Sequence, residues 1–311
     1  MSPLAGAISI GIAASLLGIS WKWWGEGLIA QGRSALELPP PSRMIVLFRC
    51  WLFPLLWGVL TSFLVYGELG LRIIDTPEVQ PPDYARWLRA TYHALLVGWL
   101  LASALIDLDC TLIPDQITFP ATALGIVLAV LFNDLQIVHL WVDWGYAIPD
   151  VCGPYIPPWY VEYPRCHALA WSVTGAAVGM GVTAFVRALS HYVLRREAIG
   201  SGDITLMMMM GSYLGWQIVL VVFVLSPLIA LAGALVHSCF LPRASYIPYG
   251  PYLGLTAYGV LFFWGSLWKQ WRMLFSDLVG LSVVLASALF ALFLLLFVTR
   301  VYMLLRIRRV E

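Results

Sequence analysis

Charge is scarce in this chain: Asp, Glu, Lys and Arg make up 11% of its 311 residues, against 61% hydrophobic residues. A soluble domain carries roughly 25% charged and 45–50% apolar residues, so a soluble globular fold is excluded. The apolar matter is continuous rather than alternating and falls in blocks near the roughly 20 residues that one helical crossing needs. That pattern excludes a barrel and predicts an all-α, polytopic transmembrane helical bundle.

Other absences narrow the function. The net charge is +1 with no polybasic tract, so nothing points to a nucleic-acid partner, and membrane lipid is the expected surrounding. The five cysteines, Cys50, Cys110, Cys152, Cys166 and Cys239, form no C-x-x-C pair, so spacing supports neither a metal site nor a dithiol motif. No internal repeat occurs. The opening MSPLAGAISIGIAASLLGIS has no basic residues before its apolar run and reads as a first span that stays.

Nine candidate spans, one of them short, lie at about residues 4–20, 45–66, 91–107, 116–132, 167–190, 204–216, 217–238, 251–268 and 278–300, an expectation of eight or nine crossings. The uncharged run from Ile204 to Val236 is too long for one crossing and is divided near Gly215 and Trp216. Basic residues group between the first two spans (Lys22, Arg33, Arg43, Arg49), ahead of Asp203 (Arg187, Arg195, Arg196) and at the end (Arg300, Arg306, Arg308, Arg309). Threading places all three groups on one side, expected to be cytoplasmic, with the N-terminus outside. The Trp-, Tyr- and Pro-rich loop after Phe132 then lies outside as a surface for headgroups. Cys152 and Cys166 within it are a candidate disulfide or two free thiols.

Few carboxylates touch the apolar blocks: Asp107 and Asp109 end the third span, Asp115 opens the fourth and Asp203 opens the sixth. An ionised Asp near a helix centre costs about 2.5–3.5 kcal/mol on insertion scales, so such residues are functional candidates. Two carboxylates at one membrane depth share a proton because both cannot ionise cheaply, which suits one to activate water and the other to hydrogen-bond a scissile carbonyl. Taken alone, the G-x-G-D around Asp203 reads equally as a loop turn in which Asp caps the next helix. The run Met207 to Met210 reads as packing, since adjacent helical positions point apart. His93, His139, His167, His191 and His237 have no partner at ligand spacing, and Ser201 has no base at a recognisable spacing.

The stretches ALIDLDCTLIPDQITFP, REAIGSGDITL followed by GSYLGW, and YIPYGPYL occur in this order and together resemble the type IV prepilin peptidase family of G-x-G-D membrane aspartic proteases. The resemblance covers about residues 90–265, with 1–89 as N-terminal spans and connector and 266–311 as a last span and basic tail. It implies Asp107 and Asp203 as the catalytic pair, supported by Asp109, Asp115, Glu197, Gly200, Gly202, Pro248, Gly250 and Pro251, with Pro114, Pro120 and Ile247 completing the motifs. It also implies precursors of type IV pilins or pseudopilins as substrates, cut at the cytoplasmic face of a bacterial inner membrane, with no cofactor. Two departures stand out. The family usually has Lys where this chain has Thr205, and many members carry paired C-x-x-C motifs, linked to N-methylation, in a connector that here is WKWWGEGLIAQGRSALELPPPSR, without cysteine. Cleavage without methyl transfer is the expectation. The competing readings are a carrier relaying protons through the two aspartates and a protease of the presenilin or signal-peptide-peptidase sort. The latter's Tyr-Asp and Pro-Ala-Leu motifs are not what IDLD and IPYGPYL offer.

Overall fold

The computed structural model describes residues 2–145, 148, 152–195, 199–240 and 248–307. They form α1 (Pro3–Gly18), α2 (Trp21–Ala35), α3 (Arg43–Gly70), α4 (Asp83–Cys110), α5 (Asp115–Phe132), α6 (Trp159–Glu162), α7 (Pro164–Leu194), α8 (Ser201–Leu214), α9 (Trp216–Phe240), α10 (Gly250–Phe262), α11 (Trp264–Ser276) and α12 (Leu278–Ile307). Among the described residues there is no strand, only two isolated bridges in the loop after α5. The all-α polytopic class is therefore correct.

Each of the nine expected spans coincides with helix, but among the described residues 6 helices are long and apolar enough to cross a membrane, or 7 if the bent pair α1 and α2 counts as one. The difference is one of length. A helix of 14 residues, such as α8, rises about 21 Å, less than a hydrocarbon core of about 30 Å. The expected span 251–268 breaks at Phe263 into α10 and α11. The second of these is amphipathic, burying Trp264, Trp268 and Phe275 while Lys269 is exposed.

Gly215 divides α8 from α9 as its sequence suggested. Its φ of +81° is a left-handed value, and a Cβ there would lie 2.4 Å from Trp171 Nε1. The same turn brings α8 flat against α7: a Cβ on Gly175 would sit 2.1 Å from the Gly211 carbonyl oxygen. These backbone contacts leave α8 little freedom to slide, which fixes the depth of Asp203 at its start.

The expected outer loop behaves differently from a surface lying on headgroups. Leu135, Ile137, Val138 and Val142 are buried, and Arg272 of α11 lies 3.9 Å from the centroid of the Trp144 ring. The first half of the loop is thus a plug over one end of the bundle. Cys152 and Cys166 are free, exposed thiols, so the disulfide is not formed.

That end also holds charges that no motif or spacing had joined. Arg89 of α4 is fully buried and donates to Glu68 of α3 and to Asp75, while Arg86 pairs with Asp75 at 3.0 Å. His93 Nδ1 lies 3.0 Å from the second oxygen of Glu68, so His93 belongs to this buried network. Glu78, in the loop between α3 and α4, has both carboxylate oxygens buried without a well-formed hydrogen bond among the described residues, with Trp268 and Thr76 close enough only to offset part of the effect of burial.

Burial pushes the Glu78 carboxyl up to about 7 from an ordinary value of 4.5. The folded protein then binds more protons than the unfolded chain between these values, so this residue's contribution to stability falls as pH rises through that window. Glu78→Gln should therefore gain stability over the parent at about pH 8 but not at about pH 5. Paired thermal unfolding curves in detergent test this, and an equal difference at both pH values would count against it.

Candidate two-aspartate site

At the opposite end of the bundle, α4 stops at Cys110 because Thr111 takes a left-handed conformation, φ 51°. The last turn of α4 carries Asp107 inward, 5% exposed. Its Oδ2 accepts a hydrogen bond of 2.9 Å from the Gly250 N–H at the start of α10. A Cβ at Gly250 would stand 2.7 Å from that oxygen, so only glycine permits the approach.

Asp203 is reached from another direction. Gly200 is the N-cap of α8, and Asp203, at the third position of the helix, turns its Oδ2 back to accept from the Gly200 N–H at 3.1 Å. Asp203 is therefore not the cap residue itself; it satisfies the cap's backbone donor, as the acidic member of a capping box does. Gly202 packs its Cα against α4's exit, since a Cβ there would be 2.8 Å from Ile113 Cβ. The helix N-terminus also favours negative charge at this position.

The two carboxylates line one cavity of about 100 Å³, together with Thr111, Gly200, Gly202 and Tyr249. It is small enough for a water and a peptide group rather than a bulky ligand. Asp203 is 8% exposed. Each aspartate is thus held through one oxygen by a backbone N–H from a glycine, in a place where burial makes two ionised carboxylates costly.

The supporting residues separate into distinct roles. Asp109 faces away from the cavity and is clamped by Arg33 and Arg49, each at 2.8 Å, with Arg49 also bound to Glu26 at 2.8 Å. This network ties α2 and α3 to the end of α4 two residues from Asp107. Asp115 lies at the exposed start of α5 and accepts from Thr205 Oγ1 at 3.4 Å, while the same hydroxyl is 3.1 Å from the Gly202 carbonyl. Thr205 therefore spends its hydroxyl on the site's own frame. Pro251 occupies the first turn of α10, where a missing N–H costs nothing, and Pro248 precedes it. Glu197 and Ile247 lie outside the described residues.

Met207, Met209 and Met210 are buried packing residues, as expected. Among the described residues no group of His, Cys, Asp and Glu is arranged to hold a metal. Tyr249 is the residue that sequence reasoning passed over. Its ring closes the cavity and its hydroxyl lies 2.6 Å from Ser226 Oγ of α9. It stands inside the IPYGPYL motif, so the signal was present, but the Ser226 partner was not foreseeable from spacing.

Fold and site together define a polytopic helical membrane protein with a buried pair of aspartates at one end of its bundle. Residues 164–235 match the type IV leader peptidase family, so the resemblance carried by the ordered motifs holds over that segment, which contains Asp203 but not Asp107. A prepilin leader peptidase/N-methyltransferase of Aeromonas salmonicida is 29% identical over 186 residues, 59% of this chain and 53% of the relative. One of Xanthomonas campestris is 29% identical over 177 residues, 55% of this chain and 49% of the relative. One of Legionella pneumophila is 26% identical over 184 residues, 57% of this chain and 52% of the relative. The chain spans about half the length of the curated relatives it matches. No solved structure matches it to a significant degree.

Proposed function

We propose that this chain is a membrane aspartic endopeptidase that removes the short basic leader of type IV pilin or pseudopilin precursors at the cytoplasmic face of the bacterial inner membrane. The observation that carries the reading is the shared cavity: Asp107 and Asp203, from distant parts of the sequence, meet there, each oriented by a glycine N–H. The basic residues near that end, Arg33, Arg43 and Arg195 among them, favour its cytoplasmic placement.

In this mechanism one aspartate is ionised and takes a proton from the attacking water, while the other, protonated, donates to the oxygen of the scissile carbonyl. The proton then passes to the leaving amine as the C–N bond breaks. Glycine N–H bonds from Gly250 and Gly200 keep the carboxylates from rotating during this exchange. Tyr249 and Ile113 narrow the cavity and limit bulk water.

Co-expression with a pilin-like precursor, followed by N-terminal sequencing of the product, tests the reading. A precursor left at full length overturns it. The proton-carrier reading needs no such product and would instead require proton flux that depends on Asp107. The reading includes no methyl transfer, because the connector bears no cysteine. The product made by the purified protein should accordingly have the mass of the unmodified N-terminus, and an added methyl group in intact-mass analysis would contradict that.

A further inference from the structure

Helix α10 begins at the site, and the first turn of a helix leaves its N–H groups without partners inside that helix. Here Pro251 has no N–H, and that of Tyr252 bonds back to the Tyr249 carbonyl at 3.0 Å. The donor that remains is Gly250, which gives its N–H to Asp107 Oδ2 at 2.9 Å. How that carboxylate is turned therefore depends on where the first turn of α10 lies.

Two tyrosine hydroxyls pin this helix. Towards its far end the Tyr258 hydroxyl donates to the Leu60 carbonyl of α3 at 2.9 Å. At the site end stands Tyr249, the residue before Gly250, whose side chain makes no cap for its own helix. Its ring walls the aspartate cavity, and its hydroxyl reaches Ser226 Oγ of α9 at 2.6 Å.

The local sequence of α9 makes Ser226 an acceptor. Pro227, inside the helix, has no N–H for the Phe223 carbonyl four residues back. The Ser226 hydroxyl donates to that carbonyl instead, at 3.3 Å. With its proton directed there, the fully buried Ser226 Oγ has lone pairs to offer, and the Tyr249 O–H fills one of them. A chain of contacts thus runs from the Phe223 carbonyl through Ser226 and Tyr249 to the Gly250 N–H and Asp107.

We infer that Tyr249 is a positioning residue for Asp107: its hydroxyl, anchored on Ser226, holds the first turn of α10 where the Gly250 N–H meets the carboxylate. The inference deepens the peptidase reading and rests on it. A hydrogen bond tolerates little displacement; a shift of about 0.5 Å takes the Gly250 N–H beyond the usual 2.7–3.2 Å range. Asp107 then keeps its place in α4 but loses the contact that fixes the plane of its carboxylate. The Tyr249 hydroxyl, engaged by Ser226, takes no part in the proton transfers, so its effect on the reaction is exerted through Gly250.

Tyr249→Phe and Ser226→Ala test this, since each cuts the anchor and leaves the ring and both aspartates in place. With a pilin-like precursor, each should lower kcat roughly tenfold or more with KM near that of the parent, because misplacement at the reacting centre is felt in the chemical step. The double variant should be no slower than the slower single one, as expected of two groups that act as a unit. Hydrogen exchange at the Gly250 amide should quicken in both. Tyr258→Phe, which deletes the same hydroxyl from the same helix at its other pin, should change neither kcat nor that exchange. Additive losses, an unaltered Gly250 exchange, or an equal loss of kcat in Tyr258→Phe would overturn the inference. Failure of the peptidase reading shows separately, as absence of cleavage by the parent protein, and the exchange measurement needs no substrate.

Discussion

Asp107→Asn and Asp203→Asn should each leave a pilin-like precursor uncleaved, with the rate down by about a thousandfold or more, the scale of a lost general acid or base. Asn keeps the size of Asp, and its carbonyl oxygen still accepts from the Gly250 or Gly200 N–H, so the local geometry survives. What disappears is the ability to take up and release a proton at the cavity. Unfolding temperatures of both variants in detergent should stay near that of the parent, which separates loss of chemistry from loss of fold. Asp109→Asn provides the contrast: it weakens the clamp to Arg33 and Arg49 but leaves both cavity carboxylates in place. Its activity should fall by much less. Equal shortening of the precursor by the parent and both cavity variants would remove the aspartates from the mechanism.

The largest effect on stability is expected at the far end of the same helix. Arg89→Met leaves Glu68 fully buried with His93 as its remaining partner, and breaking one half of a buried ion pair costs about 3–5 kcal/mol. Replacing both residues, as Glu68→Gln with Arg89→Met, should cost less than the single Arg89 change, because no uncompensated charge remains. A double-mutant cycle read by thermal unfolding measures the difference. Additive costs would mean that the two side chains, close as they are, do not stabilise each other.

The sequence made the site more legible than the scaffold around it. Asp107, Asp203 and the glycines at 200, 202 and 250 lie in short stretches whose residue types are dictated by local chemistry, a carboxylate and a backbone that must come near it. The Gly215 break was also readable, because an uncharged run longer than one crossing has to turn somewhere. Glu68 and Arg89 were not. They lie just beyond the apolar blocks, 45–66 and 91–107, in which α3 and α4 were recognised, where hydropathy carries no signal of burial. The helices extend to Gly70 and begin at Asp83, which carries both side chains into the bundle.

The plug formed by Leu135 to Val142 escaped for a related reason. Hydropathy and aromatic content describe how well a segment suits an interface, whereas its burial depends on α11, whose Trp264, Trp268 and Phe275 supply the opposing surface. That helix begins inside the expected span 251–268 and continues to Ser276, beyond its end. Tyr249 and Ser226 illustrate the same limit within the site: their hydrogen bond joins α9 to the start of α10 across a connection that no periodicity describes.

One helix, α4, carries the Arg89 network near one end and Asp107 near the other, about 27 Å apart at the helical rise. Such a rod behaves as a depth gauge. Because Arg89 is fastened to α3 and the loop beyond it, and Asp109 is fastened to α2 and α3, α4 cannot shift along its axis without breaking ion pairs at both extremities, fully buried at Arg89 and partly buried at Asp109. On the proposed peptidase reading, the level in the bilayer at which a peptide bond would meet the carboxylates is then set mechanically, by anchors outside the cavity. A single-residue insertion or deletion in the middle of α4 should move the plane of reaction and rotate Asp107 off the cavity, even though every reacting group is still present.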